Sequence, residues 1–327
     1  MKNHKPPFEI TEKIISDIIE IGELVGKVNI NNQLTTNPTL RRSNRIRTIY
    51  SSLAIEQNTL DIDQVTAVLS GKRIIGPPKD IAEVQNAYEI YECMDTLSPY
   101  STDDLLKSHY IMVKGLVSEA GRFRSRPVGV VDSNGNILHF GTLPDYIPNL
   151  IYELLEWVKT SNIHMLIKSC VFHYEFELIH PFADGNGRIG RLWHTLLLSK
   201  WNPVFAWLPI ESIIHDNQKA YYEAINTSNN NGESTIFIEF MLTVIKQALL
   251  EASEYIIPQS VKNNKYLTRL KIIDDYLKTH EYIMNSSAQQ LLGVSSATAT
   301  RILTELTKNG ELKKVRIESH WGYIKKL

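Results

Sequence analysis

The stretch Ile179–Trp193, IHPFADGNGRIGRLW, decides how the rest of the chain is interpreted. It follows residues 163–179, IHMLIKSCVFHYEFELI, which are apolar on nearly every face and therefore predict a helix buried among other helices. Gly185 and Gly187 then predict a tight turn, and RIGRLWHTLLLSKW begins a second helix with an apolar stripe. The stretch is thus a polar loop between two core helices.

This loop lies at a helix N-terminus, where free backbone N–H groups and the positive end of the helix dipole attract anions. Arg188 and Arg191 add positive charge near the first turn, which is unfavourable for the helix unless an anion compensates it. A polyphosphate would do so, with Asp184 holding a Mg2+ ion that bridges its phosphates. His180 would then stand beside the phosphate as the group able to accept a proton near neutral pH.

Other nucleotide and metal motifs do not fit the chain. There is no G-x-x-x-x-G-K-[ST] sequence, which excludes a P-loop, and the two histidines of HYEFELIH are seven residues apart rather than in H-E-x-x-H. Glu177 and His180 match the E-x-x-H unit of di-iron bundles, but such bundles need a second copy, which the sequence lacks. We therefore retain the polyphosphate interpretation.

The segment HPFADGNGRIGR resembles the Fic-domain signature, His-x-Phe-x-Asp/Glu-Gly-Asn-Gly-Arg-x-x-Arg, at every specified position. The resemblance implies a mainly α fold in which a Fic helical core carries a β-hairpin flap. It also implies a protein adenylyltransferase that transfers AMP from ATP to a hydroxyl side chain of a target protein and of itself, with Mg2+ as cofactor. His180 would deprotonate the hydroxyl, Asp184 would bind Mg2+, and Phe182 would be a core residue. The residues implied to hold the ATP phosphates are Gly185, Asn186, Gly187, Arg188 and Arg191.

Two further segments extend the resemblance. Residues 127–141 predict a hairpin around the turn DSNGN, in the place of the family's flap, onto which a segment of the target protein docks as an added strand. Downstream, YYEAINTSNNNGESTIF resembles the adenine-side segment of the family. It implies that Tyr221, Tyr222 and Asn229 lie near the base.

Near the start of the chain, TIYSSLAIEQNTL resembles the family's inhibitory helix motif, Ser/Thr-x-x-x-Glu-Gly/Asn, here from Ser52 to Glu56. In the family this glutamate pairs with the second arginine of the signature, here Arg191, and keeps the ATP γ-phosphate from being held productively. Such a pair would satisfy both charges when no nucleotide is bound. The sequence departs from the pattern at Gln57, where Gly or Asn is expected.

The C-terminal part reads as a separate unit. The polar, linker-like stretch EASEYIIPQSVKNNKY precedes three helical segments and a β-rich end, an order that resembles a winged helix-turn-helix. From Lys262 onward basic residues outnumber acidic ones about two to one, so the positive charge of the chain is concentrated here. The candidate recognition helix would present Ser296, Thr298, Thr300 and Arg301 outward. DNA and a docked protein both remain open as partners.

Three regions follow from these patterns. Residues 1–100 are predicted to be an N-terminal helical region with the inhibitory helix near 45–60, residues 101–255 the Fic catalytic core, and residues 262–327 the winged-helix-like domain.

Composition limits the partners and the compartment. The 327 residues carry a formal net charge of -1, so a nucleic acid or a membrane would have to meet a local patch. Two cysteines, Cys93 and Cys170, are too few for a disulfide framework, which favours a reducing compartment. No apolar stretch predicts an export signal or a membrane span. We expect a cytoplasmic protein without a membrane partner, and leave a homodimer open.

Two alternative functions also stay open. The chain could be a DNA-binding regulator that uses the Fic core as a nucleotide sensor, or a deAMPylating Fic enzyme that removes AMP from its target. The intact His180 favours the transferase over the sensor, because a sensor needs the anion loop and its arginines but no base.

Overall fold

The computed structural model describes residues 5–31, 33–131, 137–317 and 320–325, and it divides into two compact units, Met1–Ser253 and Glu254–Leu327. Both the N-terminal helical region and the catalytic core predicted from the sequence lie in the first unit. The helices up to the end of this unit are α1 (Glu12–Asn31), α2 (Gln33–Thr36), α3 (Pro38–Ile55), α4 (Ile62–Leu69), α5 (Pro78–Glu92), α6 (Thr102–Val113), α7 (Ile147–Thr160), α8 (Met165–Ile179), α9 (Asn186–Trp201), α10 (Ile210–Asp216), α11 (Gln218–Asn231) and α12 (Thr235–Leu277).

Helix α8 lies at the centre of the first unit and packs against α7 and α9. Nearly all of its side chains are buried, as its apolar sequence predicts. Phe172 and Phe176 from α8 meet Trp193 from α9 and Phe182 from the loop between them in one core cluster. The buried position of Phe182 agrees with its predicted role as a core residue.

Helix α3 is fixed at both ends. Asn37 caps its N-terminus by accepting hydrogen bonds from the backbone of Thr39 and Leu40, and Pro38 occupies the first turn. At the other end, the N–H groups of Gln57 and Asn58 donate to the carbonyls of Ala54 and Leu53. This is the Schellman arrangement, and it requires a left-handed residue just after the helix.

Strands β1 (Gly129–Val131) and β2 (Ile137–Phe140) form the antiparallel hairpin that the sequence predicts, with Val130 opposite His139 and an irregularity after Val130. The predicted turn at 132–136 lies outside the described residues.

The second unit contains the end of α12, then α13 (Asn285–Leu292), α14 (Ser296–Lys308) and a hairpin of β3 (Leu312–Ile317) with β4 (His320–Lys325). Its core includes Ile273, Leu303 and Tyr323. The order of elements agrees with the predicted one, while the winged helix-turn-helix stays a prediction. The polar stretch before it is helical rather than a loop, because α12 continues through it. Among the described residues, no helix combines the length and the apolar character that crossing a membrane requires.

Candidate active site

His180 ends α8 in a left-handed backbone conformation, with φ of 51°. This turn directs the chain into the signature loop. The ring Nδ1 lies 3.3 Å from the carbonyl oxygen of Glu177. Because a carbonyl only accepts, Nδ1 carries the proton, which leaves the lone pair of the neutral ring on Nε2. His180 is therefore oriented as a proton acceptor.

Arg124 holds the backbone around His180. Its buried guanidinium donates from Nε to the carbonyl of His180 at 2.7 Å, and from its other nitrogens to the carbonyls of Arg126 and Thr142. These carbonyls belong to the His180 turn and to the segments on either side of the hairpin, so one side chain joins both. Sequence reasoning missed Arg124, since an arginine in GRFRSRP carries no signal of the His180 carbonyl, which lies 56 residues away in the sequence.

Internal hydrogen bonds fix the signature loop. The side chain of Asn186 accepts from the N–H of Phe182 and donates to its carbonyl, both at 2.8 Å. Gly185 precedes α9 with φ of 85°, a conformation that favours glycine. The predicted phosphate contact of Asn186 can thus come only from its backbone N–H, because its side chain is engaged inside the loop.

His109 packs against the signature loop and forms a hydrogen bond to it. Its ring stacks on Phe182 at 3.7 Å between centroids, accepts at Nδ1 from the N–H of Gly121, and donates from Nε2 to the carbonyl of Asp184. Burial lowers the pKa of His109 to about 4, so the ring is neutral at physiological pH. This histidine is a structural residue and was not identified from the sequence.

Asp184 is the predicted magnesium ligand, and its side chain is 45% exposed. One carboxylate oxygen accepts from Arg188 at 2.9 Å and from the N–H of Gly185 at 2.6 Å. Among the described residues, no three His, Cys, Asp or Glu side chains gather as a metal cluster. An accessible carboxylate beside an anion-binding loop nevertheless fits Mg2+, which is commonly bound by one or two carboxylates together with substrate phosphates.

Arg188 is buried rather than directed into solvent. Besides Asp184, it donates to Glu83 at 3.1 Å, and Glu83 also accepts from Asn58 at 2.8 Å. A chain of hydrogen bonds therefore runs from Asp184 through Arg188 and Glu83 to Asn58, just after the end of α3. Phosphate binding by Arg188 stays a prediction; in this structure its guanidinium orients Asp184.

Arg191 meets the end of α3, as the sequence predicts. Its Nη2 donates to Glu56 at 2.8 Å and to the carbonyl of Ser52 at 2.9 Å, and its Nε donates to the Ser52 hydroxyl. Burial alone would lower the pKa of Arg191, but the adjacent Glu56 carboxylate raises it above its ordinary value. Glu56 lies directly over Gly187, so closely that a β-carbon there would collide with its carboxylate.

Comparison with known proteins identifies the family of this chain. Residues 99–198 match the family model described as the Fic/DOC family. The structure is similar to the crystal structure of a Fic family protein from Desulfovibrio desulfuricans G20, with 38% identity, 98% of each chain covered and a TM-score of 0.76. This chain belongs to the Fic family.

Curated relatives of this Fic chain carry the name protein adenylyltransferase. One from Caenorhabditis elegans is 30% identical over 216 residues, which are 61% of this chain and 40% of that protein. A probable protein adenylyltransferase from Aquifex aeolicus (strain VF5) is 24% identical over 287 residues, 83% of this chain and 82% of that protein. The chain spans about half or less of the length of several animal relatives.

The three residues predicted to lie near the base do not share one environment. Tyr221 is buried, with its hydroxyl 3.0 Å from Nε2 of His173, whereas Tyr222 is partly exposed. Burial raises the pKa of both hydroxyls, with smaller contributions from Glu177, which raises it, and from Arg191, which lowers it. Asn229 instead accepts a hydrogen bond from Tyr174 on α8.

Glu177 is a further acidic group of the Fic site, one turn before the histidine. Burial raises its pKa to about 8, and one of its oxygens is buried without a hydrogen bond. Gly190 on α9 makes room for it, since a β-carbon there would stand 2.8 Å from the carboxylate. The sequence showed Glu177 only as half of a metal motif, because its burial depends on the glycine of a neighbouring helix.

Proposed function

We propose that this Fic protein is a protein adenylyltransferase that transfers AMP from ATP to a hydroxyl side chain of a target protein, and to itself. The observation that carries the proposal is the orientation of His180, whose Nε2 carries the acceptor lone pair at the edge of an anion-binding loop. The named relatives support the same chemistry.

In the proposed reaction, Nε2 of His180 accepts the proton of the target hydroxyl as its oxygen attacks the α-phosphorus. The bond between the α-phosphorus and its bridging oxygen breaks, and pyrophosphate leaves. The backbone N–H groups of Asn186 and Gly187 hold phosphate oxygens at the start of α9, together with the predicted arginines, while the N–H of Gly185, the third predicted contact, already donates to Asp184. Mg2+ bound at Asp184 would neutralise phosphate charge.

Self-inhibition belongs to the same proposal. Glu56 occupies Arg191 and covers Gly187, so ATP bound beside this contact would lack the arginine that positions its γ-phosphate. Transfer would then require Glu56 to leave, because a misplaced α-phosphorus is poorly aligned for attack.

The remaining partners are proposed from the resemblance. A target segment would pair with the 127–141 hairpin as an added strand, and Tyr221, Tyr222 and Asn229 would approach the adenine. On α14, Ser296, Thr300 and Arg301 are exposed as predicted, whereas Thr298 is half-buried; the three exposed residues support a DNA or protein partner for the second unit. A homodimer, the cytoplasmic location, and the alternatives of a nucleotide sensor or of AMP removal stay open.

The experiment uses the full chain with labelled ATP, Mg2+ and a cell lysate, and measures labelled protein bands. We expect His180→Ala to abolish labelling while calorimetry shows Mg-ATP binding within a few fold of the wild type, because other groups hold the phosphates. Asp184→Ala should lose activity and magnesium dependence together. Labelling that persists in His180→Ala would refute the proposed base, and its loss together with ATP binding would indicate a structural role.

A further inference from the structure

A second cationic site lies beside the first half of α3. A cavity of about 190 Å³ opens between α3, α5 and the 3-10 turn Pro203–Trp207, and none of its lining residues belongs to the Fic site. Three arginines of α3 line it, Arg41, Arg42 and Arg45, together with Tyr88, Glu92 and Trp207.

Arg45 is the decisive residue. Its residue surface is 6% exposed, and its Nε is buried without a hydrogen bond. A carboxylate oxygen of Glu92 lies 3.7 Å from this Nε, which makes an ion pair but not a hydrogen bond. The guanidinium instead lies over the rings of Tyr91 and Trp207, at 5.0 Å and 4.7 Å from their centroids. Buried charged groups are normally hydrogen-bonded, whereas Arg45 has only this long ion pair and the two ring contacts.

The position on the helix strengthens this point. The first turn of α3 contains no acidic residue, although the N-terminus of a helix carries partial positive charge and favours anions. Three arginines in the first half of the helix add like charge on that side. An anion bound among them would compensate the dipole and the arginines together.

We propose that this cavity binds a small phosphate-bearing anion. Three guanidinium groups against the single carboxylate of Glu92, among the described lining residues, leave an excess of positive charge that suits a dianion. The planar donors of arginine match phosphate oxygens, and Arg41 is already positioned by stacking over Trp207 at 3.7 Å. The rings of Trp207 and Tyr88 provide an apolar wall for the rest of a phosphate ester.

The test is calorimetric titration of the full chain with inorganic phosphate at constant ionic strength. Arg45→Gln should raise the dissociation constant about tenfold, the effect of one charged hydrogen bond. Glu92→Gln should lower it by about threefold, since a competing carboxylate that shares Arg45 is removed. The matched control is Arg47→Gln on the same helix, whose partner Glu251 lies outside the cavity; its affinity should equal that of the wild type.

A second variant covers the case in which Arg45→Gln fails to fold, as judged by circular dichroism. Arg41→Gln removes a partly exposed arginine and should also weaken binding severalfold. A parallel titration with phenyl phosphate distinguishes a site for free phosphate, which gives equal affinities, from a site for a phosphate ester, which binds the ester more tightly. Phosphate affinity that is unchanged in Arg41→Gln and Glu92→Gln would assign the binding to the signature loop and overturn the proposal, as would the absence of binding to the wild type.

Discussion

Two buried arginines lie along α3, one in its first half and one against its C-terminal end, and they differ in their hydrogen-bond partners. Arg191, 2% exposed, donates to the Glu56 carboxylate at 2.8 Å and to Ser52 at the C-terminal end. Arg45 in the N-terminal half is nearly as buried, yet its Nε has no hydrogen bond and the Glu92 carboxylate is 3.7 Å away. A ligand that uses Arg191 must displace the hydrogen bonds that the chain already makes to it. A ligand at Arg45 would meet an arginine whose hydrogen bonding the chain leaves unfulfilled.

The electrostatics of the two arginines follow the same division. Burial acts to lower the pKa of both guanidinium groups. At Arg191 the adjacent Glu56 charge outweighs burial and the pKa rises; at Arg45 burial prevails over Tyr91 and Glu92, and the pKa falls. The shorter contact of Arg191 with its carboxylate agrees with this difference, because ionic attraction weakens as separation and solvent exposure increase.

The largest expected effect comes from removing the Glu56–Arg191 contact at the C-terminal end of α3. Glu56→Gly frees Arg191 to hold the ATP γ-phosphate, so self-modification should rise on the order of a hundredfold, the cost of misplacing the reacting atoms by about an ångström. Glu56→Gln should act nearly as strongly, because the charge is what pairs. The measurement is the initial rate of label incorporation from ATP at saturating Mg2+.

The control for this prediction is the double variant Glu56→Gly with Arg191→Ala. It should be slow again, since the freed arginine is the group that would hold the γ-phosphate. Equal rates for the wild type and Glu56→Gly, in folded protein, would contradict the inhibitory role of α3.

The Glu56 contact could be predicted because its two halves are contiguous motifs, SSLAIE and GRIGR. The residues that hold the signature loop in place could not be predicted from the sequence. Glu83, Arg124 and His109 act as single side chains, and each meets the loop only after helices far apart in sequence have packed. The burial of Arg188 was missed for the same reason. The spacing of Arg188 in the sequence indicates only its face of α9, whereas its buried partner Glu83 comes from α5.

A second prediction concerns Arg188, another buried arginine, which pairs with the carboxylates of Glu83 and Asp184. Glu83→Gln should lower the free energy of unfolding by about 2 kcal/mol, because a buried ion pair loses one partner while a polar group remains. Magnesium dependence should shift to higher concentrations, because Arg188 orients Asp184. Denaturant titration and activity against Mg2+ concentration measure the two effects.

The matched control is Glu89→Gln on the same helix. Glu89 pairs with Lys114 at 2.6 Å, but both side chains are solvent-exposed, so its loss should change stability by less than about 1 kcal/mol. Equal losses in the two variants would show that burial of the Glu83 pair adds nothing.

A third prediction concerns the pKa of Glu177 when the Glu56–Arg191 contact is removed. Its pKa, about 8, is raised first by burial and then by the charge of Glu56, while Arg191 lowers it. In Glu56→Gly the raising charge is gone and Arg191 acts unopposed, so the pKa of Glu177 should fall. Carbon-13 NMR titration of the glutamate carboxyls, assigned with Glu177→Gln, measures it. A pKa unchanged by Glu56→Gly would mean that burial alone sets it.

The smallest expected effect concerns Gln57, in the turn that presents Glu56 to Arg191. This exposed residue has φ of 67° in the Schellman turn that ends α3, where glycine avoids the strain of a β-carbon. Gln57→Gly should therefore stabilise the turn that presents Glu56 to Arg191 by up to about 1 kcal/mol, partly offset by the greater freedom of glycine in the unfolded chain. The melting temperature should rise by about 2 °C and basal self-modification should fall severalfold. Gln57→Ala keeps the β-carbon and should change neither quantity. If Gln57→Gly instead increased self-modification, the left-handed turn would not be what holds Glu56 in place, and the pair with Arg191 would depend on Ser52 and the body of α3 alone.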